Sequence, residues 1–182
     1  YTYKNPGTYS VKLIVTDSLG CMDSLQMLNK IKVFDSLPPS QPQIYYVTVV
    51  NDAEIRIVWS KNTAADFVSY TVHRNNGAGM LPLFTKNAVN DTTHLDNNAI
   101  NVKTQSYAYT VDAIDNCNYL SAKSTVHASI YLDATTQNQN TTLITWTGYK
   151  GWAPGTFGYK LYRAYTYAGA YVLYAQLTDA DT

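Results

Sequence analysis

Strand-length segments follow one another through the middle of this chain, and turn-forming residues close each of them off. They cover about 44–50, 53–60, 68–75, 81–85, 92–96, 106–114 and 124–132. Asn51-Asp52, Asn75-Asn76-Gly77, Asn90-Asp91, Asn97-Asn98 and Asp115-Asn116 stand between them. Within the segments apolar residues recur at every second position. Ile55, Ile57 and Trp59 share a face, as do Tyr70 and Val72, and Tyr107, Tyr109, Val111 and Ala113. A period of two marks strands half-buried in a sheet. Several short strands with this punctuation predict a β-sandwich of immunoglobulin-like topology, whose core is built from alternate residues of both sheets. The alternating residues named above are the expected core.

Composition agrees. Glu54 is the only glutamate, whereas Tyr, Thr, Val and Ile abound. Long soluble helices need Glu, Lys, Leu and Ala, and pleated surfaces favour the residues found here. The fold class expected is therefore all-β. The 13 Lys and Arg balance the 13 Asp and Glu, which leaves no basic stripe to meet nucleic-acid phosphates. No apolar run approaches the ~20 residues of a membrane-spanning helix. Neither a nucleic-acid partner nor membrane insertion of this segment is expected.

The chain divides into four parts. In residues 1–34, Tyr9, Val11, Leu13 and Val15 alternate with Ser10, Lys12 and Ile14, and the turn Asp17-Ser18-Leu19-Gly20 leads to a second strand over 27–34. Two strands make no core, so their partners are expected upstream. Residues 35–42, DSLPPSQP, hold three of the six prolines and read as a stiff linker. Residues 43–133 are the sandwich. From 134 to 182 the pattern begins again: Thr142-Leu143-Ile144-Thr145-Trp146 echoes Ile55-Arg56-Ile57-Val58-Trp59, and Tyr159-Lys160-Leu161-Tyr162-Arg163 echoes Tyr70-Thr71-Val72-His73-Arg74. The tryptophans lie 87 residues apart and the arginines 89, a spacing suited to tandem sandwiches. With no counterpart of the Tyr107–Ala113 run, the second copy is expected to be partial, and the whole chain a piece of a longer one.

Tyr3, Gly7, Tyr9, Val11, Leu13, Val15, Asp17 and Gly20 fit the closing pattern of a PKD domain, and residues 1–34 resemble the C-terminal part of one. Trp59, Tyr70-x-Val72 and Tyr107-x-Tyr109-x-Val111-x-Ala113-x-Asp115 give residues 43–133 a resemblance to a fibronectin type III domain. Residues 134–182 resemble the N-terminal part of another. A PKD module followed by such domains looks like the large secreted or cell-surface proteins of gliding, polymer-degrading bacteria (Bacteroidetes-like), many of which carry a C-terminal sorting domain. The resemblance implies an extracellular or cell-surface location, and a role as spacer or adhesive module in a tandem array.

No pattern of residues points to catalysis. There is no G-x-S-x-G, and with one glutamate and aspartates mostly in turns no carboxylate pair stands out. His73 and His127 fall on faces turned away from the predicted core, and His94 has no ligand-spaced neighbour; all three are expected to be surface histidines. Asp112, Asp115 and Asn116 cluster at a strand end and Asp17 closes another, but turn chemistry accounts for them without the D-x-D-x-D-G spacing of a calcium loop. No metal or cofactor is expected. Cys21 and Cys117, the only cysteines, are expected to be unpaired, with a bridge between them the alternative.

The aromatic surplus is the one feature pointing to a ligand. Tyr149, Trp152, Phe157, Tyr159, Tyr162, Tyr165, Tyr167, Tyr171 and Tyr174 crowd into one stretch. Sugar rings present C–H faces that pack on such rings, and large aromatics with a polar handle are efficient contact residues. Trp152, Tyr149 and Tyr162 are the candidate contacts with an extracellular polysaccharide or surface protein. The loop residue Trp152 itself is expected to fold back and cap its own sandwich, with a glycan or protein contact as the alternative. The function expected is thus a non-catalytic structural or adhesive segment, with a polysaccharide-binding or accessory region of a secreted hydrolase as the alternative.

Overall fold

The computed structural model describes residues 2–166 and 169–178. Tyr167 of the aromatic stretch lies outside them. The described residues form strands and no helix, the all-β class expected from composition.

An N-terminal hairpin pairs β1 (Gly7–Thr16) with β2 (Met22–Val33) in antiparallel register. Its turn closes where the sequence places it: Asp17 Oδ1 accepts the amide protons of Leu19 and Cys21, each at 2.8 Å. Those bonds hold the Asp17 carboxyl below its usual range. Of the alternating apolar residues, Tyr9 and Val11 are half-buried, with Tyr9 against Tyr3, whereas Leu13 and Val15 are exposed.

The sandwich consists of β3 (Ile44–Asn51), β4 (Glu54–Trp59), β5 (Phe67–Asn75), β6 (Met80–Lys86), β7 (Thr93–Asp96), β8 (Ala108–Asp115) and β9 (His127–Ala128). One sheet has the order β3-β4-β7 and the other β6-β5-β8-β9. Every residue expected in the core is buried, and Ile55, Ile57, Tyr70, Val72, Tyr109, Val111 and Ala113 are wholly enclosed. Trp59 meets Tyr70 edge-on, with centroids 5.6 Å apart. At the start of β8 the Tyr107 hydroxyl accepts the Asn101 amide at 2.9 Å. This bond ties the crossover between sheets to the strand it enters, in the manner of the tyrosine corner of immunoglobulin-like sandwiches.

The segment read as a strand over 124–132 is different. Only His127 and Ala128 pair with β8, and Leu132 already belongs to the next strand. The hydroxyls of Ser121, Ser124 and Ser129 instead accept the amides of Ala113, Val111 and Tyr107. The amides of the same three serines donate to the Ala113, Val111 and Tyr107 carbonyls, so hydroxyls take the place of the ladder's carbonyls only, which breaks the strand without leaving β8 unsatisfied.

Beyond it, β10 (Leu132–Asn138) pairs with β11 (Thr141–Trp146), and β12 (Tyr159–Arg163) with β13 (Val172–Leu177). The sequence repeat has a structural counterpart. Trp146 packs on Tyr159 at 5.7 Å as Trp59 packs on Tyr70. The Tyr159 hydroxyl accepts the Tyr149 amide just as that of Tyr70 accepts the Asn62 amide.

Candidate functional site

Two of the three aromatic candidates come together where the sandwich meets the strands that follow it. After β11 the chain turns through residues 147–158, and Tyr149 and Trp152 stack there with centroids 3.9 Å apart and planes at 24°. Trp152 does not cap its own module. Its indole Nε1–H donates to the Tyr45 carbonyl at 2.7 Å, and the Tyr149 hydroxyl accepts the Val47 amide at 2.8 Å. Tyr45 and Val47 lie on β3, an edge strand whose outward N–H and C=O groups have no ladder partner. The loop supplies those partners from side chains, and the Ala128 amide adds a backbone bond to the Lys150 carbonyl at 3.1 Å.

His127 completes the contact. Its Nδ1 lies 3.0 Å from the Tyr149 hydroxyl, which accepts from Val47 and still has its own proton to give. Burial holds the His127 pKa below the ordinary value, which favours the neutral imidazole that can accept that proton. Gly151 lies against the same ring at φ +116°, and a Cβ there would come within 2.3 Å of it. Glycine is therefore required twice over, by conformation and by space.

The stack also walls an open apolar cleft of about 490 Å³ with Tyr46, Val47, Ile130 and Tyr159. Trp152 keeps 47% of its surface exposed while making these contacts. Tyr162 is elsewhere, half-exposed on β12.

The strand order decides the fold. The central sandwich is fibronectin type III-like. No family model and no curated protein matches the sequence. Among solved structures, the chain is similar to an Fn3-like protein from Clostridium thermocellum, with 19% identity over 51% of this chain and 90% of that one and a TM-score of 0.38. It is similar to a pectate lyase from Pectobacterium carotovorum, with 24% identity over 50% of this chain and 26% of that one and a TM-score of 0.39. It is also similar to a β-1,2-glucanase from Parabacteroides distasonis, with 18% identity over 59% of this chain and 15% of that one and a TM-score of 0.40.

Two histidines of the fibronectin type III-like sandwich depart from expectation. His73 and His127 are buried, not surface residues. Both do face away from the hydrophobic core, but the outer face is covered at each point. The joint loop covers His127. His73 Nε2 sits 2.8 Å from Asp112 Oδ2, with Lys123 Nζ 2.8 Å from the same oxygen. Asp112 is therefore tied into an ion pair on the outer face. Asp115, three positions on along the strand, projects to the other side, so the two do not form one cluster. Inside, Asp96 is buried and binds the Tyr109 hydroxyl and Arg74, each at 2.7 Å. These charges hold strands to one another, and Arg74 also lines an open cleft of about 500 Å³ beside Asn75 and Tyr107. Cys21 and Cys117 are both free.

Sequence reasoning missed the joint because the partners of Tyr149 and Trp152 on β3 are main-chain atoms, one donor and one acceptor, 102 or more positions away. The available signal was Gly148-Tyr149-Lys150-Gly151-Trp152, two large aromatics each directly preceded by a glycine in a loop.

Proposed function

We propose that this chain is a non-catalytic segment of a large extracellular or cell-surface protein, in which a PKD-like module and tandem fibronectin type III-like sandwiches act as spacers and interaction modules. The observation that carries this reading is the joint. Tyr149 and Trp152 spend their polar atoms on the backbone of the preceding sandwich, so successive modules are docked and not merely tethered. Docked modules transmit orientation along an array and hold whatever lies at its end at a set distance. The ion pairs and buried hydroxyls of the sandwich serve the same end, since each ties one strand to another.

The test is the size and place of the native chain. Antibody raised to residues 43–133 is used to blot whole cells before and after protease shaving. A large band lost on shaving is expected. A modest band recovered from the culture medium would overturn the stalk reading in favour of a hydrolase accessory region.

A second reading rests on the half-exposed Trp152 and the apolar cleft beside it, which offer aromatic faces to a polysaccharide or surface glycan. Pull-down on insoluble polysaccharides, compared with Trp152→Ala and Tyr162→Ala, separates the two. Retention that depends on either ring favours glycan binding, and none in the parent chain removes it.

A further inference from the structure

The register of the sandwich brings together two aspartates that sequence spacing keeps far apart. Phe67 of β5 pairs with Asp115 at the end of β8, and Asp66 immediately precedes it. The Asn116 amide donates to the Asp66 carbonyl at 3.0 Å, which fixes the two chain segments side by side. Both aspartates are buried, Asp66 at 5% exposure and Asp115 at 1%. One Asp115 oxygen, Oδ1, closes its own turn by accepting the amides of Cys117 and Tyr119 at 2.8 and 2.9 Å. The Oδ2 atoms of Asp66 and of Asp115 are enclosed and have no hydrogen-bond partner among the described residues. A carboxylate oxygen from each lies within 4.8 Å of the other and of Cys117 Sγ.

Turn chemistry explains Asp115 Oδ1 but neither Oδ2. Buried acceptors are ordinarily satisfied, and two carboxylates facing each other out of water are costly without a positive charge between them. No Lys or Arg pairs with either aspartate among the described residues. We propose that Asp66, Asp115 and Cys117 form a binding site for a zinc-type divalent cation at the seam between the 35–42 linker and the central sandwich. The thiol chooses the class: calcium takes oxygen ligands throughout, whereas zinc accepts carboxylate and thiolate together. Bonds of about 2.0–2.3 Å set tetrahedral ligands roughly 3.3–3.8 Å apart, so a spread of up to 4.8 Å closes by side-chain rotation. The Asp35 carbonyl, 3.7 Å from Cys117 Sγ, is the further oxygen within reach. It would tie the exit of the N-terminal hairpin to the sandwich, where a cleft of about 310 Å³ lined by Gly7, Lys32, Asp35 and Asp66 now separates them. The Cys117 proton passes to solvent as the metal–sulfur bond forms.

Cobalt(II), which reports thiolate ligation by a near-ultraviolet charge-transfer band, is titrated into the chelator-treated 182-residue chain. Saturable binding with that band is expected. Cys117→Ser should remove the band and Cys21→Ser should keep it. Asp66→Asn should weaken binding at least about tenfold, with far-ultraviolet dichroism confirming that each variant is folded. No saturation, a band that follows Cys21, undiminished binding by Asp66→Asn, or saturable calcium binding without a cobalt–thiolate band would each overturn the proposal.

Discussion

The Tyr149 hydroxyl accepts the backbone N–H of Val47 at 2.8 Å and is hydrogen-bonded to His127 Nδ1 at 3.0 Å. One phenol therefore holds two separate strands of the preceding sandwich, β3 and β9, against the loop that follows β11. Gly151 makes the approach possible by leaving room for the imidazole. Alanine at 151 is expected to push the ring or the loop away and open the joint at a cost of about 1–3 kcal/mol. Small-angle scattering should show a wider spread of dimensions for Gly151→Ala, with the thermal unfolding of residues 43–133 unchanged. Identical scattering profiles would remove the joint as a constraint.

The same geometry makes the joint sensitive to acid. Burial depresses the pKa of His127, and it dominates the lowering at His94 as well. The unfolded chain therefore binds these protons at higher pH than the folded one. Stability from the two histidines is fully present above the ordinary value near 6.5 and declines as pH falls through the depressed folded values. Unfolding midpoints measured from pH 8 to 5 should fall below about 6.5. His127→Gln should flatten part of that fall, and an unchanged pH profile would count against the neutral ring.

Trp59 is the largest enclosed side chain and lies edge-on to Tyr70. Trp59→Ala should destabilise the central sandwich by about 3–5 kcal/mol. A variant that melts within a few degrees of the parent would sink the assignment of Trp59 as the centre of the core.

Removing the Tyr107 hydroxyl leaves the Asn101 amide without its partner. Tyr107→Phe should therefore cost roughly 1–3 kcal/mol while preserving the ring's packing. Denaturant unfolding with an unchanged m-value checks this, because the same surface is exposed in both chains.

The N-terminal hairpin presents Leu13, Val15, Leu25 and Leu28 to solvent. Contiguous apolar surface of this kind drives association. The 182-residue chain should show concentration-dependent mass by light scattering, and residues 43–133 alone should be monomeric. A monodisperse full chain would speak against it.

What the sequence disclosed and what it hid divide along a physical line. Ile55, Ile57, Trp59, Tyr70, Val72 and the Tyr107–Ala113 face were legible because a sheet writes its buried side with a period of two. His73 and His127 were assigned correctly to the outer face and wrongly to solvent. Period tells which way a side chain points, and burial there depends on Lys123 and on the 147–158 loop, which are distant in sequence. Asp66 and Asp115 were invisible as a pair because only the register of β5 on β8 makes them neighbours. The serine edge after residue 120 read as a strand because its spacing is strand-like. Its hydroxyls, unlike apolar side chains, can stand in for the backbone they follow.

The joint is written almost entirely on one of its two sides. The preceding sandwich contributes the Tyr45 carbonyl, the Val47 amide and the Ala128 amide, groups that every residue except proline possesses in full, together with a single imidazole. The following module contributes the specific residues, Tyr149, Gly151 and Trp152. The loop thus asks of the surface it meets only an open first-strand edge and a histidine at one point of the last strand. Nearly every other position of that surface is free to change without loss of the contact.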